Sequence, residues 1–132
     1  MSARISALVC ASVLLCGGGA FAETIEKTVK SGASTAVDGL FIYGVQSCEP
    51  GEIPDAKVSE PPKNGSVVIR LHEQALSKGT NCAGVKVKGP IFVYTPAKGF
   101  KGRDGFTIDY PFASTEVSSP TLRTLTYRIT VE

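Results

Sequence analysis

The stretch Ile91-Phe92-Val93-Tyr94-Thr95-Pro96-Ala97-Lys98-Gly99-Phe100-Lys101-Gly102-Arg103-Asp104-Gly105-Phe106-Thr107-Ile108-Asp109-Tyr110 reads as two core strands and the corner between them. Ile91 to Tyr94 is a short apolar run, and Pro96 ends it because proline has no N–H to give to a ladder. Phe106, Ile108 and Tyr110 alternate with Thr107 and Asp109, the period of a strand with one buried face. Between the two runs, Gly99, Gly102 and Gly105 permit positive φ, and the Asp104 carboxylate can accept bonds from the amides of its own turn.

Tyr94, Pro96, Gly99, Phe100, Gly102, Asp104, Phe106 and Tyr110 together spell Tyr-x-Pro-x-x-Gly-Phe-x-Gly-x-Asp-x-Phe-x-x-x-Tyr. This motif resembles the corner of bacterial cadherin-like and Ig-like repeats of secreted and surface proteins. Pro62, Asn64, Gly65 and Val67 match the Pro-x-x-Gly-x-Val step upstream of that corner. The resemblance covers most of the chain beyond its first residues. It implies an Ig-like fold, an exported compartment and a structural role for Asp104.

The flanking sequence reads as further strands. Glu23 to Lys30 is a β-prone, charged run suited to a sheet edge. Ala36 to Val45 reads as a strand buried on both faces, or as one with a bulge at Gly39. Ile53 to Val58 is a short strand candidate, and Asn64-Gly65 carries the signal of a two-residue hairpin. Ser66 to Leu71 alternates, with Val67, Ile69 and Leu71 on one face; Glu73 to Lys78 suggests a single helical turn, and Val85 and Val87 alternate with Lys86 and Lys88. Leu125, Tyr127, Ile129 and Val131 alternate with Thr124, Thr126, Arg128 and Thr130 in the clearest strand of the chain. Seven or so short strands and almost no helix fit an all-β, Ig-like antiparallel β-sandwich over residues 23–132.

Residues 1–22 read as a secretory leader, with Arg4 at its positive end, an apolar segment from Ile5 to Leu15, and Ala20-Phe21-Ala22 as the cleavage site. That apolar segment is too short to cross a bilayer, so no membrane span is expected after cleavage. Cys16 would open a lipoprotein reading, but Leu15 stands where a lipobox has Gly or Ala. Roughly 110 residues then remain, enough for one small domain. Of the 4 cysteines, Cys10 and Cys16 leave with the leader. Cys48 and Cys82 remain, and an oxidising compartment favours a disulfide between them.

Little in the sequence suggests catalysis. His72 is the 1 histidine, and Leu76 stands where a zinc-protease His-Glu-x-x-His would place its second ligand. Blue-copper chemistry needs two histidines and usually a methionine, whereas the 1 Met is Met1. Gly32 to Ala36 lacks the last glycine of a nucleophile elbow. The carboxylates Glu49, Glu52, Asp55 and Glu60 read as a solvated acidic loop. No catalytic residue, metal or cofactor is therefore expected.

With 14 basic and 12 acidic residues, overall charge does not identify a partner. Its distribution is uneven, because Lys78, Lys86, Lys88, Lys98, Lys101 and Arg103 occur without an acidic residue among them. They read either as solvated strand faces or as a surface for an anionic envelope polymer or an acidic protein. Nucleic acid is not expected, since no aromatics interleave with these cations on an evident face. The function expected is that of a non-catalytic binding or structural domain in the periplasm of a bacterial envelope, or outside the cell. An Ig-fold protease inhibitor presenting loops 49–55 or 111–120 is the alternative.

Overall fold

The computed structural model describes residues 22–115 and 117–132. The leader expected over residues 1–22 lies, except for Ala22, outside the described residues. Seven strands follow in chain order: β1 Ala22–Val29, β2 Thr35–Gly39, β3 Lys57–Glu60, β4 Gly65–Ala75, β5 Lys86–Pro96, β6 Gly102–Phe112 and β7 Thr121–Val131. They form a four-stranded sheet in the order β1-β7-β6-β3 and a three-stranded sheet in the order β2-β5-β4. All neighbours are antiparallel except β1 and β7, which run parallel in register from Ala22↔Thr124 to Val29↔Val131. The protein is an all-β sandwich. Its β2-β5-β4 and β3-β6-β7 orders are those of the B-E-D and C-F-G strands of an Ig domain, with the first strand moved across to pair with the last.

Alternation places the apolar faces of both sheets inward. Val37, Phe92 and Tyr94 from one sheet meet Phe106, Ile108, Leu125, Tyr127, Ile129 and Val131 from the other. Each large side chain so buried is worth roughly 1.5–3 kcal/mol of transfer free energy. At the centre, Tyr94 and Phe106 stack at 6.3 Å, Phe106 and Tyr127 stack at 4.7 Å, and Phe92 meets Tyr127 edge-on at 5.8 Å. Two hydroxyls in this aromatic row reach carboxylates of the opposite sheet. Tyr94 donates to Asp104 Oδ2 at 2.7 Å, and Tyr127 donates to Asp38 Oδ2 at 2.9 Å.

Four local expectations are corrected by the fold. β2 stops at Gly39 instead of running to Val45, because Leu40 N–H bonds the Pro90 carbonyl at 2.9 Å and proline has no N–H to return the bond. Its bulge lies between Ala36 and Asp38, not at Gly39. No helical turn begins at Glu73. β4 instead continues through Ala75 opposite Lys86, since extending a paired ladder avoids the nucleation cost of one isolated turn. Asn64-Gly65 makes no hairpin, because β3 and β4 belong to different sheets. Gly65 is there for space: a Cβ would stand 2.5 Å from the Thr95 carbonyl oxygen and 2.9 Å from the Tyr94 ring.

The connections sort by length. Residues 30–34, 61–64 and 97–101 make short turns at one end of the sandwich, and residues 40–56, 76–85 and 113–120 make longer loops at the other.

Candidate binding surface

The loop end is assembled from chain segments that leave the core early. Residues 42–51 fold back on themselves: Gly44 N–H bonds Glu49 O at 2.9 Å, Cys48 N–H bonds Gly44 O at 2.8 Å and Gly51 N–H bonds Ile42 O at 2.8 Å. Cys48 takes a left-handed conformation with φ 59°, uncommon for a side-chain-bearing residue. From there it forms a disulfide with Cys82 of the 76–85 loop, with Cα atoms 5.3 Å apart and a separation of 34 positions in sequence. Asn81 Nδ2 adds a 3.0 Å bond to the Val45 carbonyl, and Cys82 is buried at 1% exposure. Two of the three long loops are therefore one covalently joined body.

The third loop closes the β6–β7 hairpin, where Thr115 N–H bonds Ser118 Oγ at 3.1 Å and Arg123 lies over the Phe112 ring at 4.4 Å. Val45 and Ile53 on the first loop, Val117 on the third, and Leu122 at the start of β7 are all exposed, Val117 at 95%. Exposed apolar side chains gathered at one end, on loops carried by a rigid frame, are the usual makings of a contact surface. The loops expected to matter for inhibition, 49–55 and 111–120, both belong to this end.

The basic set does not converge. Lys86 and Lys88 stand where β5 begins, at the loop end with Lys78, whereas Lys98, Lys101 and Arg103 surround the turn beyond Pro96. From Lys88 to Pro96 the strand rises about 27 Å. Lys88 is moreover opposite Glu73 in the β4–β5 register, and the acidic residues Glu49, Glu52 and Asp55 share the loop end with Lys78 and Lys86. At the turn end, Lys98, Lys101 and Arg103 are joined by Lys30 and Lys63, one from each of the other two short turns, and all five are exposed. Arg103 also borders an open groove of about 380 Å³ over Gly105, with Glu60, Lys63, Thr107, Thr126 and Arg128 around it.

The corner residues work as one unit. Asp104 Oδ1 accepts from the N–H groups of Lys63 at 3.0 Å and Gly105 at 2.9 Å, and Oδ2 accepts from Asn64 N–H at 3.0 Å and the Tyr94 hydroxyl at 2.7 Å. Only Gly105 belongs to the turn from which donors were expected. Ala97 N–H reaches the Asn64 carbonyl at 2.8 Å, and Ser31 Oγ donates to the Phe100 carbonyl at 2.9 Å, so all three short turns are laced together. Gly99 and Gly102 have φ of 77° and 133°; Gly105 has no such φ, and a Cβ there would meet the Tyr127 carbonyl oxygen at 2.7 Å. Burial, then the bond to Asp104, holds the Tyr94 phenol well above its usual value, and burial followed by Asp38 does the same for Tyr127. Sequence reading missed Asp38, whose local signal is a carboxylate inside an otherwise apolar strand run.

Among the described residues no group of three or more His, Cys, Asp or Glu side chains could hold a metal ion, and no helix is long and apolar enough to cross a membrane. His72 is exposed on β4 opposite Gly89. No family model and no curated protein matches the chain. Among solved structures it is similar to the solution structure of amebosin, with 14% identity, a TM-score of 0.40, and coverage of 87% of this chain and 100% of that one.

Proposed function

We propose that the protein is a non-catalytic binding domain of the bacterial cell envelope, exported by its leader, and that its contact surface is the loop end. The observation that carries this reading is the cross-linking of loops 40–56 and 76–85 by Cys48–Cys82 beside a third loop, with Val45, Ile53, Val117 and Leu122 exposed among them. A disulfide limits the conformations that binding must select, so less ordering entropy opposes association. The resemblance of the Tyr94–Tyr110 corner to secreted repeats supports the compartment, as does the disulfide. An exported chain beginning at Glu23 is expected by mass spectrometry.

Photo-crosslinking side chains at Val45 and Val117 test the surface in living cells, with Lys98 as the control at the far end. A partner joined at the two loop positions and not at Lys98, and lost when Val45, Ile53, Val117 and Leu122 are replaced by serine, supports the proposal. Crosslinks at Lys98 alone would refute it. The inhibitor reading is favoured by one observation, that loops 49–55 and 111–120 share this end. It requires stoichiometric inhibition of a protease by the intact protein, abolished by substitutions at Ile53 or Val117.

A further inference from the structure

The hydrogen-bond parity of β4 leaves a complete open edge. Leu76 N–H bonds the Val85 carbonyl at 2.8 Å and Ala97 N–H bonds the Asn64 carbonyl at 2.8 Å, both opposite pairs in the β4–β5 register. Antiparallel ladders alternate bonded and non-bonded pairs, so the even-numbered residues of β4 bond inward to β5. The prolines agree: Pro90 and Pro96, which have no N–H, stand opposite the odd-numbered Leu71 and Gly65. Gly65, Val67, Ile69, Leu71, Glu73 and Ala75 consequently turn both backbone groups toward the outside of the sheet.

Exposed edges in monomers are usually blunted by short length, bulges, prolines or charges. The other three edges of this sandwich follow that rule. β3 has 4 residues, β2 has 5 residues and a bulge, and β1 carries Glu23, Glu26 and Lys27. β4 has 11 residues in unbroken register with β5, contains no proline, and exposes Val68 at 48% and Leu71 at 62%.

We infer that β4 pairs antiparallel with β4 of a second copy, about a two-fold axis at Ile69, making one continuous six-stranded sheet β2-β5-β4-β4-β5-β2. The strand is self-complementary in that register. Val67 of one copy stands opposite Leu71 of the other and Ile69 opposite Ile69, an unbroken apolar row on the face that borders the core, while Gly65 meets Glu73. On the outer face Val68 meets Arg70 and Ser66 meets His72, so no like charges are directly opposite. Registers shifted toward the end of β4 are worse: centring on Arg70 puts two guanidinium groups face to face, and centring on Leu71 puts Ile69 against Glu73. About ten main-chain hydrogen bonds form in the preferred register, two per bonded pair. Because the copies run antiparallel, the dimer turns its two loop ends in opposite directions and can engage two partners.

Sedimentation equilibrium of the exported protein from 1 µM to 1 mM, with amide hydrogen exchange at both limits, tests the inference. Dimer at high concentration is expected, with the amides of Val67, Ile69 and Leu71 protected there and exchanging freely on dilution, while those of Val68 and Arg70 stay protected throughout. Leu71→Pro removes an outward-facing N–H and should weaken dimerisation at least tenfold while the diluted monomer stays folded. Leu71→Lys covers the case in which proline impairs folding. His72→Pro, which removes an inward bond, should instead destabilise the monomer. A wild-type protein monomeric at 1 mM, or a Leu71→Lys protein as dimeric as wild type, overturns the inference.

Discussion

Replacing Asp104 by alanine removes four hydrogen bonds at once, and the structure indicates what each loss costs. The N–H groups of Lys63 and Asn64 are near solvent and recover water, so each of these bonds contributes about 0.5–1 kcal/mol. Gly105 N–H is half-buried, and its bond contributes a similar amount. The Tyr94 hydroxyl differs, because Tyr94 is 0% exposed and would be left without its partner, at about 1–3 kcal/mol. Together these losses come to roughly 2.5–6 kcal/mol, a large part of the 5–15 kcal/mol that holds a domain of this size folded. The assay is urea unfolding of wild type, Asp104→Ala, Tyr94→Phe and the double variant under oxidising conditions. Tyr94→Phe should cost only about 1 kcal/mol, since donor and desolvation penalty leave together. The double variant should be more stable than the sum of the singles implies, with a coupling of 1–2 kcal/mol. An Asp104→Ala protein within 0.5 kcal/mol of wild type would refute the assignment of Asp104 as the tie between the turns.

Four other outcomes are expected. Because the Tyr94 and Tyr127 phenols are held above their usual value in the fold, the stability they contribute is complete below about pH 10 and is lost as pH rises beyond it, at about 2.7 kcal/mol per pH unit for the pair; Tyr127→Phe should halve the slope of an alkaline titration followed by circular dichroism. Cys48→Ser or Cys82→Ser should cost about 3–4 kcal/mol and lower Tm by roughly 10–20 °C by calorimetry, with wild type falling to the same level under reductant. Gly65→Ala should cost about 2 kcal/mol or more in chemical denaturation, since its methyl would meet the Thr95 carbonyl and the Tyr94 ring. Charge reversal at Lys98, Lys101 and Arg103 should abolish retention on an immobilised polyanion with Tm nearly unchanged, whereas reversal at Lys78, Lys86 and Lys88 should leave the eluting salt concentration almost where it was.

Strands with one buried face were legible because alternation is a local property. β7 was evident from Leu125, Tyr127, Ile129 and Val131, and β6 from Phe106, Ile108 and Tyr110. β4 and β5 were harder, since Gly89-Pro90 reads as a break although Pro90 only lacks a donor on the side facing β2. Contacts between sheets have no local signature. Nothing around Asp38 announces a hydroxyl 89 residues away, and three of the four donors to Asp104 come from outside its turn. The six basic residues are divided between the two ends for a geometric reason: residues 78–103 include a strand that runs the height of the sandwich, so continuity in sequence became separation in space. The loop end was legible only in pieces, as Cys48 with Cys82 and as turn-rich segments, because collecting them at one end is a property of the topology.

The parallel pairing of β1 with β7 bears on how the protein resists being pulled. Ala22 opens β1 at the loop end and Val131 closes β7 at the turn end, so tension applied through the two ends of the chain drags these neighbouring strands past one another along their common axis. The load then acts across the bonds of all eight paired residues together, whereas a terminal hairpin would let them open one after another. Glu132 N–H to the Val29 carbonyl at 2.9 Å and Ser31 N–H to the Glu132 carbonyl at 2.7 Å clamp the far end of the same seam. Rupture in this shear geometry is governed by the rate of crossing a single large barrier. Stretching at constant speed should therefore show one high-force event, well above that of a variant whose seam is opened by proline at Ile25 or Lys27, whose N–H groups share the parity of Val29 and face β7.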